Sequence, residues 1–548
     1  MSFSVSANSA LLDDYLHQKN LKVKPLPNQT LVKPKQALAV KTQINLTFSI
    51  NPLVQGRYFK VVKDKYKTAT HEHYQVANLP NMTFQLKSEG TNIYPKSTAF
   101  VVNSHPQWEW QVSAGKIWQE NNSTHSFKIV LPFALQERNA NCTHNGYMVL
   151  AQSSQQSKKS WHGYAQITAE TCAYLQFDLA THLSVNASQT RIDFTPPTKQ
   201  NHVVFSLADL AKDYPKLTVQ KILPSNPQAN TTSGMVINGK HYQISCKNRM
   251  GEDPYCQQLV LPSYSTAKSL FAGTALMRLE KLYPGIGKVS VNKIIPQCDA
   301  KRWAHVSLDD LINMRTGNYL SKKPHVDENS QRMLNFFLAE THQQKLKRAC
   351  SMFKHKSPGG KNFVYHTSDS YLAGVIMQKL YQQFSKKDDL YQDLMLHDLW
   401  QKLTLSNLFA SSKRTYDDTK QAFTGWGLSY YLTDLIQLID FLNKQSLNPT
   451  KLDQTLLNSA LQTGKNRLNR DAGELNMAYN NGFWALEVGH SLHCKKEKWL
   501  PFMSGFGGIS IVLYQPNIFY YTFADDHHYN WLKVVKALNK QFPLCEDN

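Results

Sequence analysis

A serine hydroxyl is a useful nucleophile only when a neighbour takes its proton. In the stretch running from Leu261 through Pro-Ser-Tyr-Ser265-Thr-Ala-Lys268 to Ala275, a lysine follows a serine by three residues. On a helix that spacing puts both on one face, a turn apart. The residues beyond predict a buried helix: Leu270, Phe271, Ala275, Leu276, Leu279 and Leu282 are apolar, and Pro284-Gly285 stop it. A serine at the start of such a helix lies near unpaired backbone N–H groups, which favour developing negative charge. The same serine also fits a plain N-cap. Ser-x-x-Lys recurs at Ser113/Lys116, Ser290/Lys293 and Ser351/Lys354, but none of these opens a long apolar helix.

Two later segments carry further candidates. Phe363-Val-Tyr365-His366-Thr367 follows a Pro-Gly turn and precedes a helix expected over Tyr371–Leu380, so Tyr365 sits on a loop at a helix entrance. There a tyrosine can relay a proton if nearby lysines lower its pKa; a capping aromatic would look the same. Phe502-Met503-Ser504-Gly505-Phe506-Gly-Gly508 is glycine-rich enough for a substrate to approach an edge strand closely. Asp525-Asp-His-His528 holds ligand types for a metal, but its place between a strand and a helix reads as a turn. No metal or cofactor is expected.

At 548 residues, two domains are the natural expectation. From Gln36 to about Phe194 short β runs alternate with turns: Gln43–Ile50, Arg57–Val62, Phe100–Val102, Trp108–Val112, Ser126–Val130, Tyr147–Ala151 and Ala173–Phe177. They predict an all-β sandwich or barrel whose tryptophans (108, 110, 118, 161) pack in its core. Residues 1–35, with a short helical stretch at Ala10–His17, read as loosely ordered, and Thr195–Gln200 reads as a linker. Beyond it come a short helix at Ser206–Tyr214, a hairpin around Asn238-Gly239, the Ser265 helix and a mostly helical insert from Ser307 to Asn443. Strands at Phe483–Leu486, Gly508–Leu513 and Phe519–Phe523 and a helix at Trp531–Asn539 end the chain. This is an α/β domain, 199–548, whose antiparallel sheet is made from both ends of its own segment and is flanked by helices.

The eight cysteines fall into sequence neighbours, 142/172, 246/256, 298/350 and 494/545, with no Cys-x-x-Cys. That predicts disulfides and an oxidising compartment, periplasmic or extracellular. Sequons, Asn141 among them, follow from an Asn/Ser/Thr-rich composition. The net charge of +21 is spread along the chain rather than held in a tail, which suits an anionic cell wall or lipid surface. No nucleic-acid motif accompanies it.

Ser265-Thr-Ala-Lys268, Tyr365-His-Thr367 and Met503-Ser-Gly505 together resemble the three motifs of the serine β-lactamase and penicillin-binding-protein superfamily, in its class C-like hydrolase and esterase branch. Segments around Val306–Gly317, Thr424–Asp434 and Asn481–Trp484 resemble the family's connecting motifs, while residues 1–198 lie outside the likeness. The resemblance implies Ser265 as acylated nucleophile and Lys268 and Tyr365 as proton acceptors. It implies an oxyanion hole from the backbone N–H groups of Ser265 and Phe506, and substrate contacts at Thr367, Met503, Ser504 and Gly505. Two positions depart from it. Thr367 stands where Asn is usual, and Met503 where a Lys or His pairs with a substrate carboxylate; His366 and His490 are candidate substitutes for that cation. The expected function is therefore a hydrolase of small-molecule or peptide esters or amides rather than an efficient β-lactamase. The alternative is a catalytically silent relative serving as a ligand- or wall-binding module.

Overall fold

Alternation along His125–Glu137 sets the first half of the molecule: Ile129, Leu131, Phe133 and Leu135 point to one side, Val130 and Ala134 to the other, and all are buried. A strand buried on both faces needs a filled interior and an outer cover. In the computed structural model the interior is a closed barrel of eight antiparallel strands. In spatial order they are Asn45–Asn51, Met82–Glu89, Asn92–Pro95, Gly115–Trp118, His125–Glu137, Thr143–Ser153, Trp161–Thr171 and Phe177–Gln189, the last pairing with the first. Phe48, Leu86, Ile117, Ile129, Leu150 and Ile167 fill it, with Trp108 and Trp110 in the same cluster, so these two tryptophans are core. The structure describes the chain except residues 1–10, 17–22, 41–42, 52–58, 69–77, 120–124, 154–159, 191–193, 197–201, 466–469, 475 and 546–548. Most of the expected linker, 197–200, lies outside the described residues.

Several boundaries move. His125–Glu137 and Thr143–Ser153 run longer than their apolar cores suggested. Phe100–Val102 is no strand; Val101 makes only an isolated bridge to Trp110. Ala173–Phe177 is mostly turn, the strand beginning at Phe177 just past the Cys142–Cys172 disulfide. Residues 11–16 are helical, and Leu12, Tyr15, Leu16, Leu26 and Leu31 bury themselves on the barrel's outer surface with Trp118 and Val149. The described part of residues 1–35 is thus packed, because the outer face of the barrel is itself apolar there.

The second half is mixed α/β. Its sheet runs, in spatial order, Val204–Phe205, Lys240–Asn248, Asn230–Ile237, Ile518–Ala524, Ile509–Gln515, Trp499–Gly505, Phe483–Glu487 and Met477–Asn480. The hairpin turn at Asn238-Gly239 has positive φ at both residues, as a two-residue hairpin needs. Asn230–Ile237 pairs with Ile518–Ala524, so both ends of the segment meet in mid-sheet. Helices Leu207–Asp213 and Leu532–Gln541 cover one face. The helical insert covers the other, around Thr367–Ser385, which starts four residues earlier than the sequence suggested. All four neighbour disulfides are formed.

The barrel wall is docked against this second half. Ala134 packs with Val260 and Leu408. Lys413 and Glu109 form a buried ion pair at 2.5 Å, and Arg249 grips Glu170 with two 2.6 Å hydrogen bonds.

Candidate active site

Ser265 sits at a turn just before a helix whose first stretch, Lys268–Gly273, is wound as a π-helix and whose remainder is Thr274–Leu282. Such wide turns are tolerated where packing enforces them and are frequent at functional sites. Here the enforcing contact is the hairpin turn at Asn481-Gly482. Gly482 has φ +86°, and any Cβ on it would lie 2.2 Å from the Lys268 carbonyl oxygen. Tyr264, directly before Ser265, has φ +40°. A bulky residue in that region costs on the order of 1–3 kcal/mol and persists only where its surroundings hold it.

Lys268 is 2% exposed, and its ammonium makes three hydrogen bonds: to Ser265 Oγ at 2.9 Å, Thr367 Oγ1 at 3.0 Å and the Gly425 carbonyl at 3.0 Å. Burial lowers its pKa to about 8, with nearby Glu328 pulling the other way. The ammonium also lies over the Tyr365 ring, 4.9 Å from its centroid. The Tyr365 hydroxyl faces that of Ser265, which favours its ionised form, and its ring stacks on Trp484 at 5.8 Å. Burial, with Tyr479 and Glu328 nearby, raises its pKa well above the usual phenol value despite the lysine. Ser265, Lys268, Tyr365 and Thr367 therefore converge from two separate stretches of chain, with the Gly425 carbonyl supplied by a third.

The recurring Ser-x-x-Lys pairs are engaged elsewhere. Ser113 meets Tyr431 at 2.8 Å, Ser290 donates to the Ala304 carbonyl, and Ser351 donates to the Lys347 carbonyl.

Thr367 is not open to a substrate. It is 3% exposed, receives the Lys268 ammonium, and donates both its hydroxyl and its backbone N–H to Glu328. Glu328 is the site residue that the sequence did not single out. It comes from a loop 39 residues upstream, with no motif around it. Its neighbour Asp327 accepts from His366 at 3.2 Å. His366 lies stacked on Phe353, between Asp327 and Asp369. Burial alone would lower its pKa, but Asp369, Asp327 and Glu328 raise it to about 9. Its two ring nitrogens face Asp327 and Asp369, and His490 is on the exposed surface, so neither supplies the absent cation.

Met503 needs a correction. Strand alternation turns it into the core under the helical insert, and it is 0% exposed, so its side chain lines no pocket. Phe502 and Ser504 face the opposite way, into a cleft of about 620 Å³ shared with Trp484, Tyr529 and Trp531. Gly505 ends a strand that has a partner on each side rather than an edge strand, and what approaches it closely is the chain itself: a Cβ there would lie 3.0 Å from the Ser263 carbonyl oxygen. The strand end and Phe506 thus lie beside the Ser265 turn. The Phe506 side chain is 41% exposed, near Tyr264, Tyr174 and His527. Asp525–His528 is a turn in which Asp526 accepts the His528 N–H. Among the described residues no group of three His, Cys, Asp or Glu could hold a metal, and no helix is long and apolar enough to cross a membrane.

No family model matches the chain, and no curated protein matches it. Solved structures similar to it include a class C β-lactamase in complex with cefoxitin, 15% identical, with a TM-score of 0.41 over 61% of this chain and 97% of that one. EstCE1, a hydrolase with promiscuous acyltransferase activity, is 14% identical, with a TM-score of 0.41 over 61% of this chain and 96% of that one. A penicillin-binding protein homolog from Caulobacter crescentus is 11% identical, with a TM-score of 0.41 over 59% and 95%. Likenesses of this size carry no argument about chemistry, which rests on the geometry above.

Proposed function

We propose that the protein is a serine hydrolase that forms an acyl-enzyme on Ser265. The observation that carries this reading is the buried Lys268 ammonium 2.9 Å from Ser265 Oγ, with its pKa lowered to about 8. Near neutral pH a fraction of this lysine is uncharged and can take the serine proton, as a general base tuned toward the working pH does. Ser265 Oγ then attacks the substrate carbonyl, whose oxyanion is received by the backbone N–H groups of Ser265 and Phe506. Tyr365, held as the neutral phenol by burial, hydrogen-bonds the leaving group. The proton gained by Lys268 returns to that group as the carbon–oxygen or carbon–nitrogen bond breaks. Water enters by the reverse sequence and frees the acid.

With Met503 buried and His366 facing Asp327 and Asp369, neutral esters and amides fit the site better than carboxylate-bearing substrates. The aromatic cleft of Trp484, Phe502 and Tyr529 suits an apolar group. Four disulfides favour an oxidising compartment, and the charge of +21 favours contact with an anionic surface there.

The test is fluorophosphonate labelling read by intact mass and peptide mapping. One adduct on Ser265 is expected, lost in Ser265→Ala and kept in Ser290→Ala and Ser351→Ala. An unreactive wild type, or labelling that survives Ser265→Ala, would overturn the reading and leave a ligand-binding role.

A further inference from the structure

The loop Arg138–Cys142 joins two barrel strands, His125–Glu137 and Thr143–Ser153, and its tip enters the second half of the molecule beside the candidate site. Asn141 is 1% exposed. Its side-chain oxygen accepts the backbone N–H of Gly427 at 2.7 Å and that of Tyr264 at 3.1 Å, with the Ser263 hydroxyl at 3.4 Å. Its amide nitrogen donates to the Leu428 carbonyl at 3.5 Å. The preceding Asn139 reaches the same region: its carbonyl accepts the Trp426 indole N–H, and its amide donates to the Ala339 carbonyl at 2.8 Å. The Cys142–Cys172 disulfide pins the loop from behind.

The two segments tied together here are those that hold the reacting pair. Tyr264 carries the left-handed backbone that presents Ser265. Gly425, two residues before Gly427, supplies the carbonyl that holds the Lys268 ammonium. One barrel side chain thus fixes the separation between the serine turn and the lysine's anchor. Burial with both ends bonded also excludes Asn141 as a glycan acceptor in the folded chain.

We infer that Asn141 is a positioning residue for Ser265 and Lys268, so that the N-terminal barrel is an integral part of the active site rather than an appended module. This rests on Ser265 being the nucleophile. The physical argument is that a buried backbone N–H left without an acceptor moves until it finds one. Here the movement falls on the backbone bond next to Ser265, where misplacement on the ångström scale costs up to about a hundredfold in rate.

The experiment compares the second-order rate of fluorophosphonate labelling of Ser265 in wild type, Asn141→Ala, Asn141→Asp and Ser113→Ala, with thermal unfolding followed in parallel. Ser113 bonds the same interface at Tyr431, away from the serine turn. Asn141→Ala is expected to label about 10- to 100-fold more slowly. Asn141→Asp, which keeps the acceptor, should stay within a few fold of wild type, and Ser113→Ala should be unchanged. If Asn141→Ala does not fold, Asn141→Gln replaces it: the same amide set one methylene further out should slow labelling while Asn141→Asp does not. Equal rates in all variants, or equal losses in Asn141→Ala and Ser113→Ala, would overturn the positioning role while leaving Ser265 as nucleophile. A wild type without label on Ser265 would remove both.

Discussion

Replacing Glu328 by Gln should move the pH dependence of Ser265 acylation to lower pH, because Glu328 is the nearby charge that opposes the effect of burial on Lys268. The path is short: Lys268 Nζ is 3.0 Å from Thr367 Oγ1, which in turn donates to the Glu328 carboxylate. Unit charges about 6 Å apart interact by about 3 kcal/mol at an effective dielectric constant of about 20. At about 1.4 kcal/mol per pKa unit this is about two units. Glu328 is only partly buried, and solvent screening brings the expectation down to about one unit. Wild-type labelling should therefore rise with a midpoint at about 8, and that of Glu328→Gln with a midpoint about one unit lower. At neutral pH more of the variant's lysine is uncharged, but a weaker base transfers the proton less readily, and the two effects partly cancel. The midpoint, not the rate at one pH, is the informative readout. Labelling rates measured from pH 6 to 10 in both proteins decide it. A midpoint that stays put or rises refutes Lys268 as the base tuned by Glu328.

Met503→Lys should fail to create a carboxylate site, since residue 503 is enclosed. The buried ammonium should cost about 4 kcal/mol at neutral pH, seen as a lower Tm. An unchanged Tm with a gain in turnover of carboxylate-bearing esters over neutral ones would contradict the burial. His366 binds its proton more tightly in the folded chain, with a pKa of about 9 against about 6.5 unfolded. It therefore contributes about 3 kcal/mol below pH 6.5, and this is lost as pH rises through 9. His366→Gln should flatten the stability profile over that window in urea titrations. A wild-type stability that does not fall between pH 7 and 9 would show that His366 is not held as a cation.

Ser265, Lys268 and Tyr365 were legible in the sequence because their signals are local: a three-residue helical spacing before an apolar run, and a loop aromatic after a Pro-Gly turn. The same holds for the Asn238-Gly239 hairpin and for the Cys246–Cys256 disulfide, which closes a loop over a separation of 10 residues. Met503 was misread because in a strand one residue of register decides between cleft and core, and Met is at home in both. Thr367 looked like a substrate contact until Glu328, distant in sequence, was found occupying it. Nothing near Glu328 or Asn141 in the sequence marks them out. Each acts through a hydrogen bond to a segment far away in the chain, and such a partner is chosen by packing alone. The sequence by itself singled out the side chains proposed to do the chemistry. Only the tertiary structure decided which groups tune and hold them, because the electrostatics of a buried amine depend on what folding brings within a few ångströms of it.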